Sequence, residues 1–489
     1  MAISFNQIPT DLRVPGNYLE VDPSLAERGA GVFPLRALII GQKTSAGSLA
    51  AATVERVTSK EQASALAGPG SIGSRMAAAW FAGNRSTELD IVLLADAGGA
   101  VPNVRSISFG GSPASGGLAV YIGGDRYTID TSGALTASAS ALVAAISANP
   151  EAPVSAAVNP GLLTQVLLTA KNGGEVGNTI DVRVAHLDGE TIPTGLTVTI
   201  ATVGAGSGNP VLTTALAAIA GVQYDVIAHP FLDSSNLGLL EADLAGRAYA
   251  ISAIPGHAFT GAVGSQGVLA AIGNARNSEN STIVGFESFP GVPCERAAQI
   301  AGLVAFYGGI DPSRPFQTLA LTGFAPAVED RFTIEERNLL LRDGISTTIA
   351  DRSGTVRIER LITTNQTNAA GAPTVAYLDV NTRLLLSFYR KSLTTRIALR
   401  FPRHKLADDD LRNPPSPGSA LVTPKVFKAE CVSHYQELVE LGIAEDIDGF
   451  IANSTVIRSP SDVNRIDAAL APNFTNQLMV GAVLVQFRL

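Results

Sequence analysis

Cysteine is nearly missing from this sequence. Only Cys294 and Cys431 occur, 137 positions apart, so no disulfide framework, paired-thiol redox motif or thiolate metal knuckle is available. The five histidines, His186, His229, His257, His404 and His434, form no His-x-His or His-x-x-x-His pair, and nothing local predicts a metal site. Charged residues are scarce at 16%, and the balance is acidic (net charge −8, pI near 5.3). A general nucleic-acid binder would carry a basic footprint instead. No apolar run reaches the ~18–20 residues of a membrane helix. The opening MAISFNQIP lacks the basic and apolar regions of a secretory leader. The expectation is a soluble product made in a cytoplasm, with two reduced, buried thiols and no membrane partner.

The motifs of catalysis are missing too. IIGQKTSAG (Ile39–Gly47) places Lys-Thr after a strand, but Gln42 separates Gly41 from Lys43 and the earlier glycine of a phosphate loop is absent. GAVGSQG (Gly261–Gly267) precedes a helix without dinucleotide-fingerprint spacing, and reads as a turn. Ser71, Ser207 and Ser265 each lack the upstream glycine of a nucleophile elbow. Asp408–Asp410 has the oxygen chemistry of a hard-cation ligand, but three carboxylates in a Pro-rich loop read more simply as a solvated run. No catalytic, cofactor-binding or metal residue is assigned, and no cofactor is expected.

What is present is a long, small-residue-rich globular chain, 46% hydrophobic with 48 glycines, sufficient for two to four domains. From Pro34, PLRALIIGQ reads as a buried strand and Ser59–Gly83 as helix broken at Gly68-Pro69-Gly70. ELDIVLLAD (Glu88–Asp96) follows as a second strand, parallel to the first. Between Val104 and Gly204 the pattern becomes strand–turn–strand, with turns at Gly123-Gly124-Asp125 and Asn172-Gly173-Gly174 and one helix near Ala139–Ala148. After a linker (Gly204–Pro210), βα alternation resumes. Strands are expected at Tyr224–Phe231, Arg247–Gly256 and Ser281–Ser288, and helices at Ser235–Leu244, Gly264–Ala275 and Pro293–Phe306.

The fold class expected is therefore multidomain α/β: a βα-alternating middle domain (26–100 and 205–375), an inserted mainly-β domain (101–204), and a C-terminal α+β domain (376–489). In the last, helices are expected at VNTRLLLSFYRKSLTTRIALRF and at Lys425–Gly442, and strands at GFIANSTVIR and at the terminal run. Charge is sorted here. Residues 381–428 carry ten basic and three acidic groups, while 429–489 carry three basic and eight acidic. Such sorting suits head-to-tail contact with copies or a charged partner, against the plainer reading of an ordinary solvated surface.

Both ends are arm-like. Leu478–Leu489 (LMVGAVLVQFRL) reads as a strand through Leu478, Val480, Val483, Val485, Phe487 and Leu489, with no turn or return strand after it. It must join its own sheet or pair with another chain. Residues 1–25 form an extended arm, with Pro9, Pro15 and Pro23 discouraging helix and Phe5, Ile8, Leu12, Val14, Tyr18, Leu19 and Val21 as its apolar contacts. Such arms point to assembly rather than chemistry.

Long collinear stretches carry a resemblance: ISFNQIPTDLRVPGNYLEVDPS, then Pro290–Ala327 (PGVPCERAAQIAGLVAFYGGIDPSRPFQTLALTGFAPA), Arg337–Thr364, and the C-terminal region ending in LVQFRL. These resemble the contractile-tail sheath proteins of Mu-like bacteriophages over essentially the whole chain. The resemblance implies a homopolymer of stacked six-subunit rings around a tail tube, held at its ends by baseplate and tail terminator proteins. It places the C-terminal domain innermost and the inserted domain outward, with Phe5–Asp22 and Leu478–Leu489 joining neighbours' sheets. Contraction would then draw on contact energy between two lattices rather than on a nucleotide. Arg390, Lys391, Arg396, Arg400 and Arg403 are the candidate contacts to tube or neighbour. A phage-tail-like bacteriocin or injection-machine sheath is the near alternative; an α/β enzyme and a tube or capsid component are remoter ones.

Overall fold

The computed structural model describes residues 34–112, 116–410 and 420–488, together with Arg13 and Pro15. The N-terminal arm residues Phe5, Ile8, Leu12, Val14, Tyr18, Leu19 and Val21, and the terminal Leu489, lie outside the described residues. The described chain forms two compact units, one made by Leu35–Phe306 and Phe316–Val380, the other by Tyr307–Pro315 and Asn381 onward.

The first unit begins with β1 (Arg36–Gln42), a near-continuous apolar run that is buried on both faces. β2 (Val54–Val57), α1 (Lys60–Ala67), α2 (Ile72–Gly83) and β3 (Glu88–Leu94) follow. The helix break falls where Gly68 (φ +89°) and Gly70 (φ +74°) take left-handed conformations, after which Ser71 caps α2 by accepting from Ser74 N. β1 and β3 pair in parallel, and the short β2, which the sequence did not mark, folds back antiparallel on β3.

The chain then enters β4 (Pro102–Gly111), β5 (Gly117–Ile122), β6 (Asp125–Asp130), α3 (Leu135–Ser147), β7 (Val154–Asn159), β8 (Leu162–Gly173), β9 (Val182–Val184) and β10 (Leu196–Gly204). These form two antiparallel sheets, β10-β4-β8-β7 and β6-β5-β9, with α3 against strands of both. Gly123 and Gly124, both at positive φ, make the tight β5–β6 turn. Asn172-Gly173-Gly174 is not a hairpin. β8 ends there and leads into a 3-10 turn over Glu175–Thr179, because Asn172 and Gly173 bond outward to the first sheet (below) instead of to a returning strand.

Beyond the linker come α4 (Thr213–Ala218), β11 (Val226–Ala228), α5 (Ser234–Ala248), β12 (His257–Val263), α6 (Gln266–Asn274), β13 (Ser281–Phe286) and α7 (Pro293–Ile310). β14 (Ala320–Leu321), α8 (Ile334–Arg342), β15 (Ile345–Ala350) and β16 (Val356–Arg360) complete the unit. The strand expected at Arg247–Gly256 is absent. Arg247 instead closes α5 as a buried residue, pairing with Asp243 and donating to the carbonyls of Val222 (2.8 Å) and Ile219 (3.0 Å). Tyr249 and Ile251, whose spacing suggested a strand, are exposed in the following turn, and the real strand is β12. Six strands run parallel in the order β3-β1-β11-β12-β13-β15, with β2 antiparallel at one edge and β16-β14 at the other. Counted along the chain, the parallel order is 2-1-3-4-5-6, a doubly wound sheet whose direction of winding reverses between β1 and β11.

The second unit holds α9 (Val380–Arg400), β17 (Lys405–Leu406), β18 (Leu421–Val422), α10 (Pro424–Glu440), α11 (Ile447–Asn453), β19 (Thr455–Arg458) and β20 (Ile466–Ala469). Thr423 caps α10, with Pro424 at its first position. GFIANSTVIR divides: Gly449–Asn453 belongs to α11, capped by Asp446, and only Thr455–Arg458 is strand. Phe450, stacked on Tyr435 at 3.9 Å, needs the helical turn to reach the core of Leu385, Tyr389, Leu438 and Ile443.

Candidate intersubunit surfaces

The C-terminal segment follows the β19–β20 hairpin. Thr475 N donates to Ile443 O (3.0 Å) and Gln477 Nε2 to Ser313 O (3.1 Å), tying the chain down at that point. Residues 479–488 carry no strand assignment within the chain. Leu478, Val480, Val483, Leu484, Val485 and Phe487 are 78–86% exposed. Five of these are aliphatic and one aromatic, so water meets a contiguous apolar ribbon, an arrangement that marks interaction surfaces.

The expected cationic face is more internally compensated than charge sorting suggested. Arg396 on α9 reaches α10, where it bonds Glu430 (2.6 Å) and Glu437 (2.6 Å) and touches Ser433 (3.1 Å). Arg400, one turn on, pairs more loosely with Glu430 (3.4 Å) and stays 68% exposed. Asp408, in the acidic run, pairs with Arg458 at 3.1 Å. Arg390 and Lys391 are half-buried and partnered; Arg403 is exposed. The basic and acidic blocks thus neutralise one another across the α9–α10 contact. Arg400 at the end of α9 and Arg403 just beyond it turn cationic charge outward, as do Lys405 and Lys425.

In a doubly wound sheet, ligands enter the crevice beyond the carboxyl ends of the strands where winding reverses. Here that crevice lies beyond β1 and β11, and the end of β8 fills it. Gln42 Nε2 donates to Gly173 O (2.8 Å) and Asp96 Oδ1 (2.9 Å). Asn172 Nδ2 donates to Lys43 O (3.0 Å) and Asp96 Oδ1 (2.9 Å), and Gly173 N to Asp96 Oδ2 (2.6 Å). Asn172 Oδ1 accepts from Ile72 N at the start of α2 (3.0 Å). On the far side Asn209 joins Glu175 N (2.7 Å) to Asp233 Oδ2 (2.8 Å). A side chain at Gly173 would meet Ala100 Cβ at 2.8 Å, so the filling is tight. The place where this architecture would hold a nucleotide is closed by the chain itself.

A second polar knot ties the β insertion to the sheet. All five Arg75 donors on α2 are engaged: Nε with Glu295 Oε1 (2.6 Å), Nη1 with Asp125 Oδ2 (2.9 Å) and Glu151 O (2.8 Å), and Nη2 with Gly123 O (2.6 Å) and Glu295 Oε2 (3.1 Å). Burial opposes the Arg75 charge, but Glu295 and Asp125 outweigh it and raise its pKa. Burial also pushes Glu295 upward, against the pull of Arg75. No short motif announces these contacts, because Arg75 and Glu295 are 220 positions apart. The available signal was weaker: Arg75 and Glu295-Arg296 are charges set inside otherwise apolar helical runs.

Nothing among the described residues assembles into catalytic machinery. Ser392 Oγ lies 3.0 Å from His434 Nε2, but both are buried, the ring stacks on Tyr389, and the hydroxyl also bonds Tyr389 O (3.1 Å). Burial, with Arg396 nearby, lowers the His434 pKa. No group of three His, Cys, Asp or Glu residues is placed to hold a metal among the described residues. No helix among them is long and apolar enough to cross a membrane.

Comparison with known proteins matches residues 205–364 to the phage tail sheath protein central domain and residues 373–488 to the phage tail sheath C-terminal domain. The Mu-like prophage FluMu tail sheath protein of Haemophilus influenzae is 33% identical over 490 residues, covering 100% of each chain. Among solved structures, a sheath tail protein from Listeria innocua aligns at 12% identity and a TM-score of 0.49, over 92% of this chain and 94% of its own. A chain of the anti-feeding prophage baseplate aligns at 12% identity and 0.49, over 98% of this chain and 100% of its own. With two sheath domains matched in order and a Mu-like relative aligned from end to end, the chain belongs to the phage tail sheath family.

Proposed function

We propose that this chain is the repeating subunit of a contractile tail sheath, stacking as six-membered rings around a tail tube and driving the tube through a host envelope when the lattice rearranges. The exposed apolar ribbon of residues 478–487, in a chain of the tail sheath family, carries the reading. In water such a ribbon is unfavourable, and pairing it with a neighbour's sheet removes apolar area and satisfies its backbone groups together. Phe5–Asp22 is its counterpart at the other end. Residues 376–489 form the innermost part of the ring, 26–100 and 205–375 the middle, and 101–204 the outer part.

The filled crevice fits a protein that does mechanical work without hydrolysing a nucleotide. The energy then comes from contacts that differ between an extended and a contracted lattice, with the strand linkages holding copies together throughout. A tail tube protein, a baseplate and a tail terminator are the remaining partners, and the tail of a virion is the place of action. Arg400 and Arg403 are the residues best placed to meet an acidic tube or neighbour. Electron microscopy of purified full-length protein beside a variant ending at Gln477 tests the reading. Striated tubes from the first and discrete, folded particles from the second are expected; tubes from both would refute the role given to the ribbon.

A further inference from the structure

Beside the Arg75 knot, the first unit contains a cavity of about 650 Å³ that the sheath reading does not use. One wall is the alanine stripe Ala78, Ala79 and Ala82 of α2, and another is formed by Phe289 and Phe324. Arg296, on the first turns of α7, reaches it. Its side chain is almost wholly buried, 6% exposed, and its guanidinium lies over the Phe289 ring at 3.9 Å. Nη2 donates to Phe324 O (2.7 Å), while Nε and Nη1 have no hydrogen-bond acceptor among the described residues. A buried guanidinium without a bonded anion is costly, and its planar fork matches a carboxylate.

The other charged groups around the cavity are already answered. Glu295 and Asp125 are held by Arg75. Glu151 accepts from Ser64, Ser74 (2.9 Å) and Gly70 N (2.9 Å). Lys60 and Glu61 face each other at the rim, 3.8 Å apart. Of the buried charged groups around the cavity, Arg296 keeps open donors, and a volume of this size suits a compact organic group.

We propose that this cavity binds a carboxylate carried on an apolar stem, the carboxylate taken by the Arg296 guanidinium hydrogens that the bond to Phe324 O leaves open and the stem lying between the alanine stripe and Phe324. Burial lowers the Arg296 pKa to about 10, with Glu287 and Glu295 opposing, so the guanidinium keeps its proton at neutral pH and offers its charge to an incoming anion. The cavity shares no residue with the C-terminal ribbon. Two sources share the chemistry: a free aryl- or alkyl-carboxylic acid, and an acidic side chain next to an aromatic one on a peptide segment.

Calorimetric titration of the full-length protein with 3-phenylpropionate, and separately with the blocked dipeptide acetyl-Phe-Glu-amide, tests the site and distinguishes the sources. Saturable binding of at least one probe is expected, weakened about tenfold or more when 3-phenylpropanol replaces the acid. Arg296→Gln should remove the preference for acid over alcohol. Ala79→Phe, at a half-buried position on the wall, should abolish binding by filling the cavity while leaving the fold intact, which covers the case that Arg296→Gln unfolds. Binding of the dipeptide alone assigns a peptide segment, and of the acid alone a small molecule. Absence of both, equal affinity for the alcohol, or full binding by Ala79→Phe overturns the proposal.

Discussion

Arg75 and Glu295 are joined by two hydrogen bonds of 2.6 and 3.1 Å between helices α2 and α7, and the same guanidinium holds Asp125 at the β5–β6 turn of the insertion. One side chain thus fastens three segments from distant parts of the sequence. Removing one member of a buried charge set leaves the others uncompensated, at a cost of about 3–5 kcal/mol. Arg75→Ala should lower unfolding stability by that amount in urea titration. Arg75→Lys should recover only part of it, since an ammonium cannot reproduce a five-donor planar fork.

His229 follows β11 and is wholly buried, its ring close to the Phe231 backbone. Burial pushes its pKa down from 6.5 to about 4, with Asp233 opposing. Between those values the unfolded chain takes up a proton that the folded chain refuses. The contribution is therefore complete above pH 6.5 and is lost as pH falls toward 4, by roughly 3 kcal/mol across the window. Denaturant titrations at pH 7.5, 6 and 5 should trace that loss, and His229→Leu should flatten it.

Asn172 bonds Lys43 O, Asp96 and Ile72 N at once. Asn172→Ala leaves these groups short of partners, and about 1–3 kcal/mol of stability should disappear. Gly173→Ala should be harmful as well, because its methyl group would stand 2.8 Å from Ala100 Cβ. Thermal unfolding of the two variants gives the comparison.

Val483→Asp and Val485→Asp act on side chains 86% and 79% exposed. Subunit stability should change by no more than about 0.5 kcal/mol, as for most surface substitutions. Polymerisation, followed by sedimentation, should fail. A variant that sediments like the parent would remove the ribbon from the assembly interface.

Arg400→Glu with Arg403→Glu reverses the outward charge at the end of α9. Attachment to an acidic partner should weaken, and the parent's attachment should itself fall as salt rises from about 0.05 to about 0.5 M and the Debye length shortens. Co-sedimentation with the tube at several salt concentrations measures it. Attachment indifferent to both changes would exclude these residues.

The parallel core was legible because its strands are apolar throughout: RALIIGQ, ELDIVLL and STIVGF can hardly be anything but buried. The helix break at Gly68–Gly70 and the Gly123-Gly124 turn were legible because positive φ selects glycine. Arg247–Gly256 misled because alternation of small and β-branched residues marks a strand only when a neighbour is there to pair, and Arg247 instead anchors the last turn of α5. β2 was missed because four residues give too little pattern. On the candidate surfaces, sequence marked the apolar C-terminal ribbon but not the pairing of Arg396 with Glu430 and Glu437, which depends on how α9 meets α10. The knot at Arg75 and the strap at Asn172 join residues over 220 and 129 positions, beyond the reach of local periodicity.

That strap sets a limit on miniaturising the particle. An engineer who cut residues 101–204 to shorten the chain would uncover Gln42, Asp96 and the Lys43 carbonyl, all at the carboxyl ends of the parallel strands. The trimmed chain would present a wet, acidic notch in place of a dry seam. A workable short version needs apolar replacements at positions 42 and 96, or a grafted Asn-Gly tip to close the notch again.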